Sequence, residues 1–211
     1  MKPLALFATP WLLACSSLLS AAPAVDHLRL SVIPTASSSG AAEAMVVSGG
    51  RWGIQRHLLH AAILIEHPQG RFLFDTGLGH ETADAFARNN WLNRTLLAYE
   101  NLNPARDQLE AAGYQASDID FILPSHLHWD HLGGLPDFPD LPVLLLPGAL
   151  EEAKTHGEPP AFLAEQFEGE REWRHIALDN VPYQSFDRSL DLFGDGQLVL
   201  VDLSGHTAGQ V

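Results

Sequence analysis

The sequence predicts a layered α/β domain, and three observations carry that prediction. Apolar runs of strand length recur at residues 28–33, 61–66, 121–123 and 143–146. A stretch of helical composition, residues 103–112, lies between two of them and gives a strand–helix–strand order. Three histidines and an aspartate crowd the loop directly after one strand, where layered α/β proteins tend to carry their chemistry. A length of 211 residues fits one domain with one substantial core.

The chain opens with residues 1–24, which hold one lysine and no acid, an apolar run over 4–14 and small residues from Ser20 onward. This is the layout of a secretory leader, too short and wrongly flanked for a spanning helix. It predicts an exported protein, periplasmic or secreted, with residues 25–211 as the domain. The only cysteine, Cys15, lies inside the leader. Leu12-Leu13-Ala14-Cys15 resembles the lipobox of bacterial lipoproteins, under which Cys15 is lipidated and forms the one membrane contact. Cleavage near Ala22 or Ala24 instead removes it and leaves no thiol, which suits an oxidising compartment. Both readings stand, and the second excludes a cysteine ligand to any metal.

Residues 28–33 alternate apolar and polar as a strand, 34–40 read as a Ser/Gly-rich loop, and 45–47 as a further short strand. Residues 61–66 suit a buried strand, 68–70 a turn, and 71–75 the returning arm of a hairpin. His57 and His60, just ahead of that strand, read as wall or surface residues rather than ligands. Residues 91–99 are mixed, a helix or a loop over the core. The helix over 103–112 has Asn103 as N-cap, Pro104 at its first position and Gly113 as its stop. Residues 142–147 enclose a buried strand, and 148–155 and 161–167 have helical composition, with Phe162, Leu163 and Phe167 packing inward. Residues 187–193 and 197–202 flank Gly194-Asp195-Gly196 as a hairpin that delivers Ser204-Gly205-His206.

The stretch 121–135 reads FILPSHLHWDHLGGL. Imidazole and carboxylate are ligands for divalent metals, so His126, His128, Asp130 and His131 form a bed for one or two ions. If the segment is extended, His126, His128 and Asp130 share a face. His131 then reaches a second centre only where the backbone turns, which Gly133 and Gly134 favour. A net charge of −14, from 12 basic and 26 acidic residues, opposes a phosphate-binding surface and excludes nucleic acid as a partner.

With Phe74-Asp75-Thr76-Gly77 upstream, H-x-H-x-D-H and two glycines in the middle, and Ser204-Gly205-His206-Thr207-Ala208-Gly209-Gln210 downstream, the chain resembles the metallo-β-lactamase-fold hydrolases. The resemblance implies an αβ/βα four-layer sandwich, two mixed sheets face to face with helices outside. It implies that Asp75 orients a histidine, and that His126, His128 and His206 hold a zinc ion with one position open for water. Asp130 and His131 begin a second, incomplete zinc site. Bound metal supplies hydroxide at neutral pH, and Asp130 is the candidate catalytic residue, orienting water or protonating the leaving group. The implied reaction is hydrolysis of a small carbonyl substrate, a lactone or ester, nearest the acyl-homoserine-type lactonases. An exported metallo-β-lactamase is the first alternative. The family continues past the position of Val211 with a strand, a metal-bridging aspartate and a last histidine, so the second alternative is an inactive truncated binding protein or a fragment.

Overall fold

The computed structural model describes residues 24–167 and 169–211. The leader, Ala24 apart, and Cys15 therefore lie outside the described residues. Among those residues no helix is long and apolar enough to cross a membrane.

Six strands form one mixed sheet in the order β1-β2-β3-β4-β5-β6: β1 (Arg29–Ala42), β2 (Gln55–His67), β3 (Gly70–Thr76), β4 (Phe121–Leu123), β5 (Val143–Leu145) and β6 (Trp173–His175). The first three are antiparallel neighbours, and β3 through β6 run parallel. A second, two-stranded sheet pairs β7 (Ser189–Asp191) with β8 (Val199–Val201), the hairpin the sequence predicts. Among the described residues six short α-helices accompany these strands: α1 (Glu43–Val46), α2 (Thr82–Ala87), α3 (Trp91–Leu96), α4 (Ala105–Ala111), α5 (Trp129–Leu132) and α6 (Ala149–Thr155).

Strand alternation divides the core between the two faces of the large sheet. Ala62, Leu64, Leu73, Ile122, Val143 and Leu145 point to one face, where Ala105 and Leu109 of α4, Leu132 of α5 and Ala149 and Ala153 of α6 pack on them. Ile65, Phe72 and Leu123 point to the other, against Leu200 of the hairpin sheet. Phe72 and Ile122 are wholly buried, and each such side chain contributes about 1.5–3 kcal/mol by leaving water. Helices, large sheet and hairpin sheet are thus stacked as layers, in the α/β class expected.

Several local expectations are corrected. Residues 34–40 are not a loop: β1 runs on to Ala42, with register breaks at Pro34/Ala36 and Ser38/Ala41 that absorb the proline and glycine. Residues 45–47 are not a strand, because α1 occupies Glu43–Val46 and the buried Glu43 carboxylate is clasped by Arg51 and Arg56. Helix α4 begins one residue late, with Pro104 rather than Asn103 at the N-cap, while the Asn103 N–H is already committed to the Thr35 carbonyl at 2.7 Å. Residues 164–167 form a 3-10 turn, and α2 and β6 have no counterpart in the sequence reading.

The loop after β3 is braced by His80, whose Nδ1 lies 3.0 Å from Asp137 and whose Nε2 lies 3.1 Å from Asp107. The hydrogen bond to Asp137 is the main cause of a pKa held above the usual histidine value, burial opposing it. Its stabilisation is then full below pH 6.5 and fades as pH rises through the elevated folded value. The gap in urea midpoint between the native chain and His80→Asn should accordingly be wider at pH 5.5 than at pH 9. Equal gaps at the two pH values would show that the brace is not ionic.

Candidate metal centre

Parallel strands β3 and β4 end on the same edge of the sheet, where ligand sites of parallel sheets form. Asp75 lies near the end of β3, and Pro124-Ser125-His126 leaves β4. Asp75 adopts φ +58°, a left-handed conformation that aspartate tolerates better than most residues. Its carboxylate accepts from the Ser125 N–H at 2.6 Å, the Ser125 hydroxyl at 3.0 Å and His131 Nδ1 at 2.7 Å. Two of these bonds go to Ser125 and one to a histidine, the geometry that an orienting Asp75 requires, with His131 Nε2 left to face Asp130.

The extended reading of 126–130 does not hold: β4 ends at Leu123, the chain bends at Ser125 and His126, and His128 is the N-cap of α5. Asp130 and His131 occupy the first helical turn, so they are brought to the site by a helix and not by strand alternation. Gly133 and Gly134 have ordinary negative φ, and their function is close approach rather than turning. A Cβ on Gly134 would stand 2.7 Å from the Thr76 carbonyl oxygen, and one on Gly133 2.9 Å from that of Gly77.

His206 arrives from the far layer, on the loop after β8. That loop closes on itself through the Leu203 N–H and the Gln210 carbonyl at 2.9 Å. It is tied to α6 by the Ala208 N–H donating to Glu152 at 2.7 Å, and to the β4 loop by the Val211 N–H donating to the Ser125 carbonyl at 3.0 Å. The result brings one nitrogen each of His126, His128 and His206 within 4.8 Å of one another. His206 Nε2 and His128 Nδ1 are 3.1 Å apart. Donors bound tetrahedrally at zinc distances stand roughly 3.3–3.4 Å from each other, so the spacing fits a single ion.

The protonation states fit as well. Burial, reinforced by the neighbouring imidazoles, drives His126 down to about 3, and burial with His206 drives His128 to about 4. Both are neutral at pH 7, the form that ligates. Burial alone would raise Asp130, but the facing His60 and His131 outweigh it and hold the carboxyl at about 2. Burial likewise lowers His131, and the Asp75 carboxylate more than reverses it.

All five predicted residues, His126, His128, Asp130, His131 and His206, line one cavity of about 400 Å³. Met45, Val46, Leu58, Leu96 and Leu97 give it an apolar side. His60 is in its wall, as expected, while His57 is exposed and bonded to Ser39. Two contributions escaped the sequence. Ser125, whose hydroxyl meets Asp75, His126 and His131, had only its position before the first histidine to mark it. The apolar side comes mostly from α1, part of which was expected as a strand, and from α3, expected as a helix or a loop, with Leu58 added from β2.

Residues 56–211 match the Metallo-beta-lactamase superfamily. The chain belongs to that superfamily. Within it, the sequence is 32% identical over 162 residues to a probable metallo-hydrolase of Mycobacterium bovis, covering 72% of this chain and 51% of that protein. It is 26% identical over 152 residues to the N-acyl homoserine lactonase AttM of Agrobacterium fabrum, covering 69% and 55%. The chain spans about half the length of the curated relatives it matches. Among solved structures, an N-acyl homoserine lactone hydrolase with N-hexanoyl-L-homoserine at its catalytic metal centre superposes with a TM-score of 0.61 at 21% identity, over 86% of this chain and 67% of that one. This likeness shows the metallo-beta-lactamase fold.

Proposed function

We propose that the chain is a metal-dependent hydrolase of a lactone or ester, with zinc as its ion. One observation carries the reading: three imidazoles converge at ligand spacing beside an ionised Asp130, in a cavity with an apolar side. His126, His128 and His206 would hold the ion, and Asp130 and His131 would contribute to a second. A divalent ion there supplies acidified water and a polarised carbonyl. Asp130, ionised at neutral pH, would accept a proton from the attacking water and pass it to the leaving oxygen as the ring opens. Met45, Val46 and Leu96 would bind the apolar part of a small substrate and exclude water from it. The lactonase names among the relatives favour a lactone over a β-lactam. The leader-like residues 1–24 support an exported address, with membrane contact only through a lipid on Cys15.

The purified chain, stripped with a chelator and reloaded with zinc, should open an N-acyl homoserine lactone at least about tenfold faster than it opens a β-lactam, a difference of roughly 1.4 kcal/mol in barrier. Activity should vanish on chelation. A zinc-loaded chain that opens the β-lactam faster, or neither ring, would sink the proposal.

A further inference from the structure

Outside the three motifs, two buried polar side chains among the described residues reach the cavity of the three imidazoles, Ser38 and His60. His60 is on β2, opposite Ala36 of β1, and is 8% exposed. It has the same strand parity as Ala62 and Leu64, which fill the core two and four residues later. An imidazole in an apolar row is unfavourable unless its nitrogens are satisfied. Nε2 has a hydrogen-bond partner in the Ser38 hydroxyl at 3.0 Å, and Nδ1 faces Asp130 Oδ2 at 3.6 Å, an electrostatic contact longer than a hydrogen bond. The Trp129 ring, 5.9 Å away and tilted by 49°, flanks the imidazole.

The Asp130 surroundings show what this achieves. Oδ2 sits between two imidazoles, His60 Nδ1 at 3.6 Å and His131 Nε2 at 3.8 Å. Each of those rings is fixed from behind by a separate group, His131 by Asp75 and His60 by Ser38. The ionised carboxylate can only accept, which favours the tautomer with its proton on Nδ1, directed at Asp130, and the Ser38 hydroxyl can then donate to the bare Nε2. We propose that His60 is a positioning residue for Asp130, its ring held in place by the Ser38 hydroxyl. The kinetic consequence rests on the hydrolase reading, in which Asp130 moves the proton. The geometric consequence does not.

The full chain, labelled with nitrogen-15 and carbon-13, tests both. In long-range proton–nitrogen spectra His60 should show the Nδ1-protonated tautomer, and Ser38→Ala and Asp130→Asn should each shift its resonances. His60→Ala should move the Asp130 carboxyl carbon resonance in chains whose thermal midpoints and zinc content match the native one. In lactone hydrolysis His60→Ala should lower kcat by about 10- to 100-fold, the range for loss of a partner that orients a working group, with KM within about twofold. His60→Asn places an amide N–H near the Nδ1 position and should recover most of that loss. An Nε2-protonated His60, an unmoved Asp130 carboxyl in His60→Ala, or a His60→Asn chain as slow as His60→Ala would overturn the proposal. If the native chain opens no lactone, the hydrolase reading fails, and the spectra still decide the position of His60.

Discussion

His126→Ala is expected to strip the chain of its ion. His126 is the most buried of the three converging imidazoles, and burial holds it neutral more firmly than His128. Its replacement leaves two donors, one of them, His206, exposed. Loss of a ligand should exceed the 10- to 100-fold that supporting partners cost, so zinc affinity should fall by more than about 100-fold. Equilibrium dialysis followed by elemental analysis measures this directly. His57→Ala, on an exposed residue outside the cavity, should bind zinc as the native chain does. A His126→Ala chain with native zinc content would show that the three imidazoles are not the ligand set.

The second large effect is expected at Asp75. Truncation to alanine removes the acceptor of the Ser125 N–H, the Ser125 hydroxyl and His131 Nδ1 together. Leaving such a part-buried charged set unpaired costs about 3 kcal/mol. Alanine also fits the left-handed backbone at φ +58° less well, by roughly 1 kcal/mol. Asp75→Asn separates the two effects, because asparagine tolerates that conformation and keeps one acceptor while losing the charge. Urea denaturation should rank native above Asp75→Asn above Asp75→Ala. The His131 pKa, followed by proton NMR, should fall in both variants, since the group that raises it has lost its charge. An unchanged His131 titration would contradict the assigned hydrogen bond.

The parts of the fold legible in the sequence are those where burial dictates residue type. Residues 121–123 and 143–145 are strands because an apolar run between turn residues has no better use than a two-sided sheet core. The hairpin β7–β8 was legible because Gly194-Asp195-Gly196 offers the positive φ its turn requires. Tertiary contacts decided the rest. Residues 34–42 are small and polar, and they are a strand only because β2 pairs with them. Val46 and Val47 have strand propensity, yet α1 forms where Glu43 is gripped by two arginines. At the site, the ligand types and their order were legible because few other pressures place three histidines and an aspartate within six residues. The helical turn that carries Asp130 was not, since four residues give no periodicity to read.

His128 and His206 are 78 positions apart, one on the loop between β4 and α5 and the other beyond the second sheet. An ion held by both would act as a cross-link between layers that are otherwise joined by side-chain packing and a few loop hydrogen bonds. Closing a loop of that length in an unfolded chain removes on the order of 4 kcal/mol of conformational entropy. Metal affinity and the anchoring of the hairpin layer are then one linked quantity. Chelation should loosen β7 and β8 first, as faster amide exchange there, while β2 and β3 keep their protection.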